Sequence, residues 1–200
     1  MDNWDKILTV SQGNRKLGRI PNISLPPVKS CGNDLPCTKK CYALKAYRQY
    51  PATRAAWDKN YQLWLESPEM YEFALLQHLA RRPKTRLFRW HVAGDIPSVE
   101  YLTMMQRIAE SFSRVHFLAY TKRVDLLSAC NATRPDNLAL IISRWMGDSI
   151  RNVWNLPEAW VNFQDESRIP KDARKCVGTC KTCQICWNLG EGESVVFEPH

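Results

Sequence analysis

Arg86-Leu87-Phe88-Arg89-Trp90-His91-Val92 alternates in the manner of a β-strand. It stops at Ala93-Gly94-Asp95, and Ser98 stands where it can cap a helix running from Val99 to Phe112. The pattern then recurs. Val115 to Tyr120 reads as a second strand, followed by Thr121-Lys122 and a helix through about Ala129. Asn137 to Ser143 carries the unbroken apolar run Leu138-Ala139-Leu140-Ile141-Ile142, which predicts a third strand covered on both faces. Ala159 to Phe163 reads as a fourth strand, and Ser194 to Phe197 as a short terminal one. Strand and helix thus alternate over residues 86–165, the mark of a parallel sheet joined by crossover helices. The expected fold is α/β. Because 200 residues fall short of the roughly 250 of a full eightfold barrel, a compact or partial (β/α) barrel-like parallel sheet, or an open sheet, fits the length.

The upstream half is different. Residues 1–36 are punctuated by Asn14, Gly18, Pro21, Pro26, Pro27, Gly32 and Pro36, and read as an irregular segment laid across a surface. Helical spacing begins near Thr38. Lys39 to Tyr47 predicts a short helix with Cys41 and Leu44, and Ala52 to Glu66 a second helix. A third runs from Pro68 to about Arg82, with Ser67 as its cap. The expected organisation is a single domain over 1–200: an irregular start (1–36), an α/β scaffold (37–165) and a cysteine-rich closing segment (166–200).

That closing segment contains Cys176, Cys180, Cys183 and Cys186 at spacing C-x3-C-x2-C-x2-C. So dense a run is expected to form a tight loop around a metal and not a regular element. Three more cysteines, Cys31, Cys37 and Cys41, form a second group far upstream. Only Cys130 stands apart, and it reads as a small buried hydrophobe. The chain has no apolar run long enough to span a bilayer and no basic-then-apolar leader, so a cytoplasmic location is expected. In a reducing compartment grouped cysteines point to metal and not to disulfides. Zinc sites usually pair two separated two-cysteine knuckles. Four cysteines within eleven residues favour an iron–sulfur cluster, with zinc as the alternative.

The formal charge is +8 and uneven: residues 1–50 hold nine Lys/Arg against three acids. A basic face of this kind suits nucleic acid or a host protein, although part of the excess would balance bound thiolates. In parallel α/β folds the working edge is the carboxyl end of the strands. Reading past each strand collects His91 and Asp95, Tyr120 and Lys122, Ser143 and Arg144, and Asn162 and Gln164. Trp187, beside Cys186, is placed to shield a cluster from water.

Two resemblances follow from these residues. Cys37-Thr38-Lys39-Lys40-Cys41-Tyr42-Ala43 is similar to the opening of the radical S-adenosylmethionine motif C-x3-C-x2-C, with Leu44 at the third ligand position. Cys31 or a C-terminal cysteine would then complete the set. Ala93-Gly94-Asp95 is similar in place to the Gly-Gly-Glu segment that holds the methionine amine in those enzymes. Gly94 and Asp95 are accordingly cofactor-binding candidates. The resemblance implies one or two four-iron clusters on Cys31, Cys37, Cys41, Cys176, Cys180, Cys183 and Cys186, with S-adenosylmethionine as cofactor. His91, Asp95, Tyr120, Lys122 and Arg144 would then line the reaction cavity. More broadly, the chain resembles a phage-encoded family known as gene product 88. The resemblance runs through Ser24-Leu25-Pro26-Pro27-Val28-Lys29-Ser30-Cys31, Pro36-Cys37 to Cys41-Tyr42-Ala43, Tyr47-Arg48, His91 through Pro97, Tyr120-Thr121-Lys122 and the cysteine ending. It implies a protein of a bacterial host's cytoplasm and no particular activity. The competing expectation is a non-enzymatic, metal-stabilised module that binds nucleic acid or a host protein.

Overall fold

The computed structural model describes residues 6–32, 35, 37–128, 134–145, 147–161 and 167–198. The elements in chain order begin with β1 (Asn22–Ile23), a 3-10 turn (Thr38–Lys40), α1 (Tyr42–Gln49), α2 (Pro51–Glu66) and α3 (Pro68–Ala80). Next come β2 (Leu87–Trp90), α4 (Val99–Ser111), β3 (His116–Thr121), α5 (Val124–Leu127), β4 (Leu138–Ser143) and β5 (Glu158–Val161). The chain closes with β6 (Arg174–Lys175), α6 (Cys180–Cys183), a second 3-10 turn (Ile185–Trp187) and β7 (Ser194–Phe197). Cys130, Asn162 and Gln164 lie outside the described residues.

The described strands form one seven-stranded sheet in the order β1-β2-β3-β4-β5-β7-β6, and every pair is parallel. From β1 to β5 the spatial order follows the chain order without reversal. The sheet is therefore wound in one sense, and right-handed crossovers place the connecting helices on one face. Packing agrees. Leu75 and Leu79 of α3, Leu102 and Met105 of α4, and Leu126 of α5 share a core with Phe88, Trp90, Phe117, Leu138 and Leu140. The alternate strand residues Leu118 and Ile141 join a second core with Leu17, Ile20, Ala159, Trp187 and Val195. One face thus lies under helices and the other under the N-terminal segment and the cysteine-rich ending. That two-sided cover is why β4 is apolar without a break.

The sheet does not close into the expected barrel. Its edge strands β1 and β6 are two residues each, and the face that a barrel would enclose is filled by the chain's own ending. Two local expectations also change. The N-terminal segment is not wholly irregular, because β1 pairs with β2 through Asn22↔Arg89 and Ile23↔Trp90. The cysteine run does contain a regular turn, α6, because Cys183 N and Gln184 N bond back to Thr179 O and Cys180 O. Helix starts follow local chemistry. Prolines open α2 and α3, and Ser98 Oγ accepts from Tyr101 N at 3.3 Å at the start of α4, whereas Ser67 makes no such side-chain bond. Buried Asn60 of α2 ties down the N-terminal segment. It accepts from Thr9 N and donates to Thr9 O and Ser24 O, at 2.9, 2.9 and 3.1 Å. Among the described residues no helix is long and apolar enough to cross a membrane.

Candidate functional site

The carboxyl edge of β2 and β3 is built around one aspartate. Gly94 has φ +81°, and a Cβ there would lie 2.5 Å from Ser30 Oγ and 2.8 Å from Leu25 O. Glycine lets the N-terminal segment close onto the strand end, where Leu25 N donates to Ala93 O and Ala93 N donates to Ser24 Oγ. The chain then turns Asp95 inward. Its Oδ1 accepts from Ile96 N (2.7 Å) and Thr121 Oγ1 (2.6 Å), and its Oδ2 accepts from Lys122 N (2.9 Å). Burial raises the Asp95 carboxyl above its ordinary range, and these three bonds oppose the rise. Asp95 thereby staples the end of β2 to the end of β3. Both of its oxygens are occupied within the protein, which gives it a positioning role in this structure.

The first cysteine group gathers at this edge. Burial, then the Asp95 carboxylate, pushes the Cys31 thiol up to about 12, with smaller contributions from Cys37 and Cys41. Burial also raises Cys37, while the Lys122 ammonium pulls the other way. The second group lies against the opposite side of the sheet from the helices. Cys176, Cys180 and Cys186 pack into the core around Trp187, whose Nε1 donates to His116 O at 3.1 Å. Burial raises Cys180 and Cys186, and the Arg89 guanidinium opposes this at both. All seven described cysteines are free thiols. Among the described residues no three His, Cys, Asp or Glu side chains are arranged to hold a metal ion. The expected closed metal site is therefore not seen. The thiols are drawn into two neighbourhoods by packing and turn geometry, without the ligand geometry of a bound centre. Their chemistry still fits one: each neighbourhood is sulfur-rich, partly buried and faced by a cation.

Beside the second neighbourhood lies a cavity of about 500 Å³, a volume suited to a small-molecule ligand. Cys180 lines it. Tyr42, next to Cys41 in the chain, also lines it and donates from Oη to Val92 O at 2.5 Å. Tyr120, Lys122 and Ser143 reach it as strand-end reasoning expects, with Lys122 Nζ donating to Ser143 Oγ at 2.7 Å. Burial, then Cys186, lifts the Tyr120 phenol well above its usual range.

Three of the five residues expected to line the cavity do not: Asp95, whose oxygens are bonded within the edge loop, His91 and Arg144. His91 (φ +52°) is buried on the helix-covered side, with Nε2 3.2 Å from Tyr101 Oη and its ring beside Trp90. Burial, then Arg89, pushes its pKa down to about 3, so the ring is neutral. Arg144 is also buried, paired with Asp148 (2.8 Å) and Glu158 (3.3 Å) and set over the Trp160 ring. The reason is the strand period. One position past the strand end the chain turns, and the side-chain face is set by the turn and not by proximity to the edge. Conversely, Arg89, Tyr42 and Lys16 line the cavity although strand-end reasoning passed over them. Arg89 carried a signal: a charge between Phe88 and Trp90 has to face the side of the sheet that those two do not.

The stretches that carried the resemblance, 24–31, 91–97 and 120–122, meet at this edge through Ser24, Ser30, Ala93, Asp95 and Thr121. No solved structure matches the chain. Over 142 residues it is 28% identical to the Gene 88 protein of Mycobacterium phage D29, covering 66% of this chain and 59% of that protein's length. The resemblance to radical S-adenosylmethionine enzymes gains no support from these comparisons. The family described as Gene product 88 matches residues 5–189, nearly the whole length. The chain therefore belongs to the gene product 88 family.

Proposed function

We propose that the protein binds iron–sulfur clusters through its two thiol groups and performs reductive or radical chemistry on a small molecule held between them. The observation that carries this reading is that one cavity is lined both by Cys180 of the second group and by Tyr42, the chain neighbour of Cys41 of the first. Cys31, Cys37 and Cys41 would hold one centre at the sheet edge, and Cys176, Cys180, Cys183 and Cys186 a second against the sheet face. A four-iron cluster with three thiolate ligands supplies an open iron, which is what reductive cleavage of S-adenosylmethionine requires. The chain's own residues do the rest. Asp95 fixes the edge loop, Lys122 places a positive charge beside Cys37, and Trp187 keeps water from the inner thiols.

Anaerobic purification with iron and acid-labile sulfide analysis tests the first half. Brown protein with near-stoichiometric sulfide is expected, and colourless protein containing zinc and no sulfide would sink the proposal. Incubation with S-adenosylmethionine and dithionite tests the second half through formation of 5′-deoxyadenosine. Iron and sulfide without that product would leave a cluster protein of another chemistry.

A further inference from the structure

The strongest feature outside the thiols is a cation on the cavity wall with an open hydrogen-bonding end. Arg89 sits in the middle of β2, half-buried, with its guanidinium 4.0 Å over the Tyr120 ring. Its Nε donates to Trp90 O at 3.0 Å. Its two terminal nitrogens make no hydrogen bond or ion pair among the described residues. A guanidinium fork left open inside a concave site matches the paired oxygens of a carboxylate or phosphate. The surroundings favour phosphate. The described residues lining the cavity bring three cations, Lys16, Arg89 and Lys122, against one carboxylate, Glu198. That excess suits a group carrying close to two negative charges, as a phosphate monoester does near neutral pH. Four aromatic rings, Tyr42, Tyr120, Trp145 and Phe197, also line it, among the aliphatic Leu17, Val92, Ala159 and Val161. Aromatic faces of this kind accept a planar ring by stacking.

We infer that the cavity binds a phosphate monoester bearing a planar ring, of mononucleotide chemistry, with Arg89 gripping the phosphate. This names the small molecule that the proposed function places in the same cavity, and it is argued from the cavity wall and not from the clusters. The alternative role for Arg89 is that of a counter-charge to the Cys180 and Cys186 thiolates.

The test is calorimetric titration of the full chain, as purified anaerobically, with uridine and guanosine 5′-monophosphates, the two nucleosides and ribose 5-phosphate. Metal content is measured on the same samples. At least one nucleotide should bind, and Arg89→Gln should weaken it about tenfold or more, the worth of one charge-assisted contact. The nucleosides should bind weakly and equally to both forms. Arg89→Lys, which keeps the charge and loses the fork, should fall between. It also serves if the glutamine variant fails to fold by circular dichroism. Three results would overturn the inference. Neither nucleotide binds the wild type, both bind Arg89→Gln or Arg89→Lys undiminished, or the variants change metal content alone.

Discussion

Two buried titratable residues place opposite demands on the solvent. His91 has an ordinary pKa of 6.5, which burial lowers to about 3 in the folded protein. Between those values the unfolded chain binds a proton that the folded chain refuses, so stability falls as pH drops below about 6.5. From pH 7 to pH 5 this one residue should cost about 2 kcal/mol. His91→Asn tolerates the left-handed backbone and removes the titration. Chemical denaturation of both forms at the two pH values should show the wild type losing the larger share, and equal losses would mean that His91 is solvated. Asp95 acts in the reverse sense, because its folded pKa is raised: its contribution is fullest below the ordinary carboxylate range and fades as pH rises through the folded value. Its geometry supplies a second prediction. Asp95→Asn sets an amide donor against Lys122 N or against Thr121 and Ile96 N, leaving one buried donor unmatched. A loss of roughly 1–3 kcal/mol is expected in urea denaturation, with cluster content unchanged.

At the level of elements, the sheet's second face depends on a short piece of chain. The 3-10 turn Ile185–Trp187 is anchored by Trp187, which is buried beside Leu118, Ile141 and Val195 and bonded to His116 O. Trp187→Ala should cost about 3–5 kcal/mol, because so large a ring leaves a cavity that three strands cannot close. Thermal melting would show this, and limited proteolysis should cut first after residue 174. A wild-type proteolysis pattern in the variant would mean that the ending is held by something else. The same face explains what could be read in advance. The β4 run Leu138-Ala139-Leu140-Ile141-Ile142 was legible because cover on both sides demands apolar residues at every position. β1 was not, since Asn22-Ile23, between Pro21 and Pro26-Pro27, has no periodicity of its own and is made a strand by the register of β2. Tyr120, Lys122 and Ser143 were legible as strand-end residues. Arg89 was passed over because its importance depends on which face of the sheet stays open, and alternation alone assigns no face to a cavity.

Across the whole molecule, the two cysteine groups should differ in what they hold up. Among the described residues the helix-side core, from Trp64 and Tyr71 through Trp90, Tyr101 and Phe117, contains no cysteine. Cys31, Cys37 and Cys41 sit beyond its edge beside Asp95 and Lys122. Cys176, Cys180 and Cys186, by contrast, are packed into the only apolar cover that the described residues give Leu118 and Ile141. Under the cluster proposal, binding metal at the second group is coupled to folding the ending onto the sheet, and binding at the first is not. Cys37→Ala should therefore lower iron and sulfide while leaving the melting temperature near that of the wild type. Cys183→Ala should lower iron, sulfide and melting temperature together, and should raise binding of a dye that reports exposed apolar surface, since the second face opens. Each variant should retain the iron of the untouched group. If either substitution empties the protein of all its iron, the seven thiols serve one shared centre, and the second face must close over it before any metal is held.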